Sequence, residues 1–555
     1  MTIKDSLEER KQKERFEALR RKEEEEATQR LADVVGIPYA DIGKKTYNLE
    51  TLSVIDQNTA KRAHCVVIEK NGSHIKMGIK NPKDPHTMLI VENIKNKGFI
   101  IDLFLVSEHN LEKAWESYAL LPHKQEDISG VIDITPENLE KLQKEIHYVD
   151  DFKDIYLRAT IKNVTALLEL LIAGSLSLES SDIHIEPQED SAIIRFRIDG
   201  ALQEVASIDK KMYQLAANRI KLLSQMKLNI VHSPQDGRFS ITSQRISIEV
   251  RTSALPGPHG DSIVMRILNP KAISVTFEKL GFSQIHLPSI EAELHKPHGL
   301  ILVTGPTGSG KTTTLYAFLK KINTSEIKII TIEDPIEYHV SGISQSQVNV
   351  DAEYTFASGL RSILRQDPDV ILIGEIRDQE TADIALHASL TGHLVFSTLH
   401  TNDALGAILR LIDMKLSPMV MGQALNLIIA QRLVRKVCTL CSSQRIVTTE
   451  ELVKCKKVFS DLPMQVTPPV LNASSRIATV VGCKICNMTG YKGRVGIFEI
   501  LYIQDRVRKM IASNPTILQL EELSRSLGMV SIRQDGFLKV VEGVTTIEEV
   551  EGVIG

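Results

Sequence analysis

The segment from Gly305 to Thr312 has the residue types and the spacing that bind a polyphosphate. It reads Gly-Pro-Thr-Gly-Ser-Gly-Lys-Thr, which fills every position of the P-loop pattern, and it lies between an apolar strand-like segment, 299–304, and a helix-forming run, 313–322. Glycines in this pattern let backbone N–H groups approach the phosphates, and the positive end of the helix adds to the attraction. The predicted nucleotide-binding residues are Gly305, Pro306, Thr307, Gly308, Ser309, Gly310, Lys311, Thr312 and Thr313.

Two side chains of this loop carry specific chemistry. Lys311 is expected to reach the β- and γ-phosphate oxygens, and the hydroxyl of Thr312 is expected to ligate Mg²⁺. A chance glycine-rich turn is the alternative, but the strand before the loop and the helix after it disfavour that interpretation. The sequence therefore predicts a site for ATP and Mg²⁺.

A carboxylate follows a second apolar segment, 370–373. The next residues are Gly374 and Glu375, and Gly374 occupies the position where an aspartate is usual. We therefore do not expect this strand to coordinate Mg²⁺ directly. Glu375 is the residue that we expect to polarise the hydrolytic water.

Two more segments end in polar residues. The segment 327–332 leads into Glu333, which we predict to be a second catalytic acid, although the acids here could also cap a helix or face solvent. The segment 395–399 leads into His400. His400 could hydrogen-bond a phosphate, although a lone histidine is more often a structural residue. Strands and helices that alternate in this way indicate a parallel α/β sheet, whose active edge gathers such residues.

Four of the six cysteines form two C-x-x-C pairs, Cys438 with Cys441 and Cys483 with Cys486. This pattern suits one tetrahedral zinc site with four sulfur ligands, which would fold a subdomain and leave no open position for catalysis. A redox pair or four unconnected thiols are the alternatives. Nucleic-acid binding is disfavoured because Phe459 is the only aromatic residue between Cys441 and Cys486.

Length and composition exclude several classes of protein. The chain has 555 residues, 43% of them hydrophobic, and a formal net charge of −4, so it is long enough for several domains and has no global positive charge that would attract nucleic acid. We find no stretch long enough to span a membrane and no secretory signal near the N-terminus, and we expect a cytoplasmic protein.

The chain divides into several predicted regions. They are a charged arm over 1–30, a small α/β domain over 31–121, a linker over 122–155, a second domain over 156–270 and a P-loop domain over 285–555, with the cysteine insert at 436–495. In the second domain, alternating residues predict half-buried strands and Asp199-Gly200 predicts a hairpin turn. The predicted fold class is a multidomain α/β protein with a preceding α+β domain.

These blocks together resemble the secretion ATPase superfamily that powers type II secretion and type IV pilus assembly. The resemblance rests on the P-loop, the acidic box 331–338, the second nucleotide box 373–378, the histidine box 391–403, the upstream blocks 181–187, 195–200 and 235–238, and the downstream block 431–435. It covers about residues 150 to 500.

The resemblance implies a RecA-like ATPase core and a hexameric ring in which ATP lies between the second domain and the P-loop domain. It implies that Arg251 and Arg266, on two predicted strands of one hairpin, reach the phosphates, and it implies a tetracysteine zinc insert. Its implied partners are an inner-membrane platform protein and a membrane-anchored docking protein, so membrane contact would be indirect. We do not find the repeated motif of cyclic di-GMP binding in residues 31 to 120.

Three functions are compatible with these residues. The first is a motor that assembles a type IV pilus or a type II secretion pseudopilus. The second is a pilus retraction motor, which normally lacks the N-terminal domain and the tetracysteine insert. The third is a scaffold that binds nucleotide without turnover, which Lys311, Thr312, Glu333 and Glu375 argue against.

Overall fold

The structure of the protein is a computed structural model. It describes residues 20, 22–42, 51, 54–55, 57–71, 74–96, 99–116, 118, 136–158, 163–243, 246–269, 275–463 and 466–554. These residues belong to two compact units, 1–129 and 130–555.

The first unit is a small α/β domain. Its elements are helix α1 (22–35), α2 (Gln57–Arg62), β1 (Cys65–Asn71), β2 (His74–Ile79), α3 (Pro85–Asn96), β3 (Ile100–Leu105) and α4 (Glu108–Glu116). The strands form one sheet in the order β1-β2-β3, with β1 antiparallel and β3 parallel to β2. Its core includes Val66, Ile75, Met77, Leu105 and Trp115, which agrees with the alternation of strands and helices that the sequence indicates.

Helix α1 begins in the segment predicted to be a charged arm, 1–30, and continues into the predicted α/β domain. The Glu25 carboxylate accepts hydrogen bonds from Ser107 Oγ (2.6 Å) and Asn110 Nδ2 (2.9 Å), and the Glu24 carboxylate accepts one from the backbone N–H of His109 (3.2 Å). The described part of this arm is therefore bonded to the domain that follows it. Residues 1–19 lie outside the described residues.

The second unit begins with an α+β domain built on a six-stranded antiparallel sheet in the order β6-β5-β4-β9-β8-β7. Its elements are α5 (Pro136–Glu145), α6 (Val149–Arg158), α7 (Val164–Ser177), β4 (Asp182–Pro187), β5 (Ser191–Ile198), β6 (Ala201–Asp209), α8 (Lys210–Leu223), β7 (Gln235–Ser243), β8 (Ile246–Gly257) and β9 (Gly260–Leu268). We call this part of the unit the second domain.

The described part of the predicted linker, 136–155, is helical instead. Ile146, directly after α5, and Val149 and Phe152 of α6 belong to the core of the second domain, and the Phe152 ring meets the Phe196 ring edge-on at 5.2 Å. The polar composition of this stretch suggested a linker. Amphipathic helices can have the same composition, because they expose one polar face and bury the apolar positions of the other. The second domain therefore begins at about 136 and not at 156.

The P-loop domain has a seven-stranded sheet in the order β12-β11-β13-β14-β10-β15-β18. Its first elements are α9 (Leu287–Leu294), β10 (Gly299–Thr304), α10 (Lys311–Ile322), β11 (Ile329–Glu333), β12 (Ser344–Gln347), α11 (Phe356–Ile363), β13 (Val370–Ile373), α12 (Gln379–Leu390), β14 (Leu394–Leu399), α13 (Ala404–Asp413), α14 (Pro418–Ala424) and β15 (Leu425–Val437). The strands are parallel except β18 (Tyr491–Tyr502), which pairs antiparallel with β15.

The central strands of this sheet are buried along their whole length. All residues of β10, β11, β13 and β14 are buried. Leu300 and Leu302 belong to one apolar core and Ile301 and Val303 to a second, so helices cover both faces of the sheet. This arrangement confirms the predicted α/β fold class.

The chain ends with the cysteine insert and a helical region. The elements are β16 (Ser443–Ile446), α15 (Thr449–Phe459), β17 (Arg476–Thr479), β18 (Tyr491–Tyr502), α16 (Asp505–Ala512), α17 (Ile517–Ser526), α18 (Ile532–Val541) and α19 (Ile547–Ile554). Strands β16 and β17 form a separate two-stranded sheet. Among the described residues, no helix has both the length and the apolar character that crossing a bilayer requires.

Candidate functional site

The polar residues predicted to form the site follow four neighbouring parallel strands. The P-loop follows β10, Glu375 follows β13, His400 follows β14, and Glu333 is the last residue of β11. Because the carboxyl ends of parallel strands meet at one edge of a sheet, the fold brings these residues to the same edge. The second domain faces this edge with Arg251.

The P-loop backbone adopts the conformation that its glycines allow. Gly308 and Gly310 have φ values of 81° and 89°, in the region that favours glycine. A Cβ at Gly305 would lie 2.5 Å from the carbonyl oxygen of Gln431, and one at Gly310 would lie 2.8 Å from the Gln431 amide nitrogen. The side-chain oxygen of Gln431 also accepts a hydrogen bond from Thr314 (2.8 Å). Gln431, a buried residue of β15, therefore packs directly against the P-loop.

Lys311 lies against its own loop. Its Nζ donates to the carbonyl oxygens of Gly305 (2.8 Å) and Pro306 (3.2 Å). Burial lowers the pKa of Lys311, and the nearby Glu375 carboxylate opposes that shift. Thr312 is exposed at the start of α10, so its hydroxyl is accessible to a bound ion.

Glu375 lies between a histidine and an arginine side chain. One carboxylate oxygen is 3.2 Å from His400 Nε2, and the other pairs with the Arg377 guanidinium, which also approaches Asp334 at 3.8 Å. Glu375 is largely buried, with 15% of its side chain exposed, whereas His400 is 51% exposed. The structure therefore brings two sequence-predicted residues, Glu375 and His400, into direct contact.

Glu333 is placed differently from Glu375. It is buried, and its carboxylate accepts hydrogen bonds from the hydroxyls of Tyr316 and Thr331 (2.6 Å) and from Gln345 Nε2 (3.2 Å). Burial and this carboxylate raise the pKa of Tyr316. These hydrogen bonds hold the start of the acidic box against Tyr316 of helix α10.

Three arginines of the second domain form one row across its sheet. Arg238 lies opposite Arg251 on the neighbouring strand, and Arg251 lies opposite Arg266 on the next. Directly opposed residues of antiparallel strands point to the same face. The cleft beside them has a volume of about 610 Å³ and is lined also by Pro335 and Gln347 of the P-loop domain.

The two arginines implied by the resemblance have different partners. Arg251 donates to the Glu337 carboxylate (3.0 Å) and to the carbonyl oxygen of Ile336 (2.7 Å), which joins the second domain to the acidic box. Arg266 donates from Nε to the buried Asp182 (3.0 Å) and keeps 56% of its side chain exposed. Both arginines line the same cleft, and β8 and β9 form the predicted hairpin.

The four cysteines of the two C-x-x-C pairs form one cluster. Their Sγ atoms all lie within 4.8 Å of one another, with Cys438 and Cys483 at 3.9 Å and Cys441 and Cys486 at 3.7 Å. Four sulfurs around one zinc at 2.3 Å are about 3.8 Å apart in a tetrahedron. The donor set and spacing therefore fit tetrahedral zinc. The other two cysteines, Cys65 and Cys455, are buried thiols outside the cluster.

Several residues at the site escaped the sequence analysis. Gln431 supports the P-loop, Thr401 bonds to Thr304 at the end of β10 (2.7 Å), and Arg432 donates to the carbonyl and side-chain oxygens of Asn402 (3.1 and 3.2 Å). All three residues lie inside the histidine box or the downstream block on which the resemblance rests. Their roles could not be predicted, because they depend on contacts between strands that are far apart in the sequence.

Comparison with proteins of known name supports this architecture. A model of the family described as "Type II/IV secretion system protein" matches residues 159–552. The type II secretion system protein E of Aeromonas hydrophila is 40% identical over 473 residues, which cover 84% of this chain and 89% of that protein. The type IV pilus assembly ATPase PilB of Myxococcus xanthus is 34% identical over 532 residues, covering 96% and 91%.

A solved structure supports the fold alone. The ATPase DotB of Legionella pneumophila superposes with a TM-score of 0.51 at 20% identity, covering 70% of this chain and 94% of that one. The family match spans most of the chain, and the named relatives are similar over nearly their whole length. This chain belongs to the type II/IV secretion system protein family.

Proposed function

We propose that this protein is an ATP hydrolysis-driven motor that powers assembly of a type IV pilus or of a type II secretion pseudopilus at the inner membrane. The observation that carries the proposal is the contact of Glu375 with His400 at the ends of the adjacent strands β13 and β14, of which β14 is the direct neighbour of β10 and its P-loop. This edge of the sheet is where the γ-phosphate of ATP on the P-loop would lie.

Each residue of the edge has a proposed role. The P-loop backbone and Lys311 bind the phosphates, and the Thr312 hydroxyl holds Mg²⁺, which neutralises phosphate charge when bound. Glu375 accepts a hydrogen bond from the attacking water, and His400 and Arg377 fix the orientation of its carboxylate. Glu333 positions helix α10 through Tyr316.

Arg251 and Arg266 would complete the site from the second domain. Arg251 is bonded to Glu337, and a triphosphate in the cleft would compete with that carboxylate for the guanidinium. Transfer of Arg251 from Glu337 to the phosphates would couple nucleotide binding to movement of the second domain. In the ring that we propose, six copies of the chain pass this movement to a membrane platform protein.

The tetracysteine cluster would hold a structural zinc ion. Two backbone N–H groups, of Cys483 (3.1 Å) and Gly490 (3.2 Å), point at Cys486 Sγ, as donors that stabilise a thiolate ligand do. Cys438, Cys441, Cys483 and Cys486 would be the four ligands. Zinc would fold the insert and take no part in hydrolysis.

Assembly or export is favoured over retraction and over a scaffold without turnover. The similarity to PilB of Myxococcus xanthus includes the N-terminal region and covers 96% of this chain. A scaffold that only binds nucleotide would have no need of a glutamate such as Glu375, whose contact with His400 supports the motor. Contact with the membrane would be made through a docking partner and the platform protein.

The test is the ATPase activity of purified protein, separated by size into monomer and larger species, with Lys311→Ala as control. We expect activity in the hexamer-sized fraction and none in the variant, because the variant lacks the phosphate contact. Activity of Lys311→Ala equal to that of the parent would refute the site. Nucleotide binding with no turnover in any fraction, even with membrane partners added, would support the scaffold.

A further inference from the structure

Among the described residues, hydrogen bonds join the second domain to the P-loop domain at two separate places. One is the bond of Arg251 to Glu337 at the nucleotide cleft. The other is at the segment 487–493, which directly follows the last cysteine of the cluster. Here the Asn487 side-chain oxygen accepts a hydrogen bond from the N–H of Val149 (2.9 Å), and the Asp199 carboxylate accepts one from the N–H of Gly493 (2.8 Å).

The position of Asn487 depends on the fold of the cysteine knuckle. Asn487 follows Cys486 at φ 50°, and its own N–H donates to the carbonyl oxygen of Lys484 (3.0 Å). Asparagine tolerates this left-handed conformation better than most residues. The same turn therefore directs the Asn487 side chain toward Val149 and places Cys483 and Cys486 in the cluster.

The partner of Asn487 is a group that needs an acceptor. Val149 is the first residue of helix α6, and N–H groups in the first turn of a helix have no partner within the helix. Asp151 accepts from the two preceding N–H groups, those of His147 (2.9 Å) and Tyr148 (3.0 Å). Asn487, 338 residues further along the chain, supplies the acceptor for Val149.

The second hydrogen bond involves an irregularity in strand β18. Its pairing with β15 shifts between Arg435 and Val437, which are opposite Arg494 and Tyr491, so Gly493 lies in a bulge outside the regular ladder. The N–H of Gly493 reaches instead the Asp199 carboxylate, at the tight turn between β5 and β6. The positive charge of Arg435 is close enough to interact with Asp199.

These contacts surround a cavity of about 310 Å³ lined from both sides. The second domain contributes residues such as His147 and Asp199, and the insert contributes Cys486, Asn487 and Tyr491. We use the term tetracysteine module for the four cysteines together with the segment 487–493. We propose that this module is the docking surface for the second domain of its own chain, and that metal binding to the four cysteines holds the second domain in this arrangement. The inference concerns domain arrangement and does not depend on ATP turnover.

Hydrogen exchange of the full-length zinc-loaded protein tests the proposal, with zinc content measured for every variant. Asn487→Gly keeps the left-handed turn and removes the acceptor, so exchange in residues 147–152 should become about fivefold faster, as expected for the loss of one hydrogen bond. Asn487→Asp retains an acceptor oxygen and should exchange like the parent. Lys484→Ala, at an exposed position of the same knuckle, should also match the parent.

Zinc removal and a variant on the other domain complete the experiment. Chelation should speed exchange in residues 147–152 at least as much as Asn487→Gly does. Asp199→Gly leaves the module untouched and should speed exchange in residues 489–494 with full zinc content. Two results would overturn the proposal: an exchange rate at 147–152 in the chelated protein equal to that of the parent, or an exchange rate at 489–494 in zinc-loaded Asp199→Gly equal to that of the parent. In either case the module would not hold the second domain.

Discussion

His400 Nε2 lies 3.2 Å from a carboxylate oxygen of Glu375, and both residues follow adjacent parallel strands, β14 and β13. The two residues are 25 positions apart in the sequence. They meet because the sheet places the ends of these strands side by side. The contact fixes a carboxylate at the edge where the P-loop lies. It gives the proposed water-activating residue a defined orientation.

Replacing Glu375 by Gln should separate nucleotide binding from hydrolysis. The amide keeps the shape of the side chain but is a much poorer proton acceptor, so turnover should fall by about 10² to 10⁴-fold while ATP affinity is retained. Steady-state hydrolysis and equilibrium binding of a labelled nucleotide measure the two quantities. Glu380→Gln, an exposed carboxylate on helix α12 that pairs with Arg361, is the matched control and should behave like the parent. Turnover in Glu375→Gln equal to that of this control would assign water activation to another residue.

The affinity for ATP should decrease at alkaline pH because of Lys311. Burial lowers the pKa of Lys311 from 10.5, so the charged form that binds phosphate is lost as the pH rises through this lowered value. The apparent affinity should therefore begin to fall below pH 10.5. Lys311→Arg is the control, since a guanidinium stays charged over this range and should give a flat profile. Equal pH profiles for the lysine and arginine proteins would contradict the assignment of Lys311 to the phosphates.

The arginine row should matter for turnover more than for folding. Arg251→Ala and Arg266→Ala should each lower kcat by about 10³ to 10⁵-fold, because a guanidinium offsets charge that develops on the transferred phosphoryl group. Thermal unfolding should show that both variants remain folded, since both side chains lie at an open cleft. Arg219→Ala, an exposed arginine on helix α8 of the same domain, should leave kcat unchanged. A loss of activity in Arg219→Ala as large as that in the other two would indicate a general charge effect.

Loss of one cysteine of the cluster should release zinc and destabilise the insert. Cys483→Ser removes one of four sulfur ligands, and metal analysis should show less than one zinc per chain, together with faster proteolysis within residues 438–490. Cys455→Ser is the matched control, because Cys455 is a buried thiol outside the cluster and should leave zinc content unchanged. The absence of zinc from the parent protein would exclude a zinc site here.

Local patterns predicted much of the site. The P-loop could be read directly because one continuous segment supplies the glycines, Lys311 and Thr312, and its flanking strand and helix are adjacent in the sequence. The C-x-x-C pairs could be read for the same reason, since each pair forms one turn. Glu375 and His400 were predicted one at a time, from their positions after apolar strands.

Other features depended on tertiary packing. Residues 136–155 looked like a linker, because their polar face dominates the composition, and only contact with Phe196 shows that Phe152 is a core residue. The difference between Glu333 and Glu375 could not be predicted either. Both lie at the carboxyl ends of buried strands, but only Glu333 accepts hydrogen bonds from the hydroxyls of Tyr316 and Thr331 and from Gln345.

The sequence by itself determined the chemistry that is available: a phosphate-binding loop, acids and a histidine at strand ends, and four thiols in two pairs. Tertiary structure decided which of these groups meet. The order of strands in the sheet joins Glu375 to His400, and the packing of the second domain joins Arg251 to Glu337 and Val149 to Asn487. The physical reason is that short motifs are fixed by local backbone geometry, whereas contacts between residues far apart in the sequence follow from how whole elements bury their apolar faces.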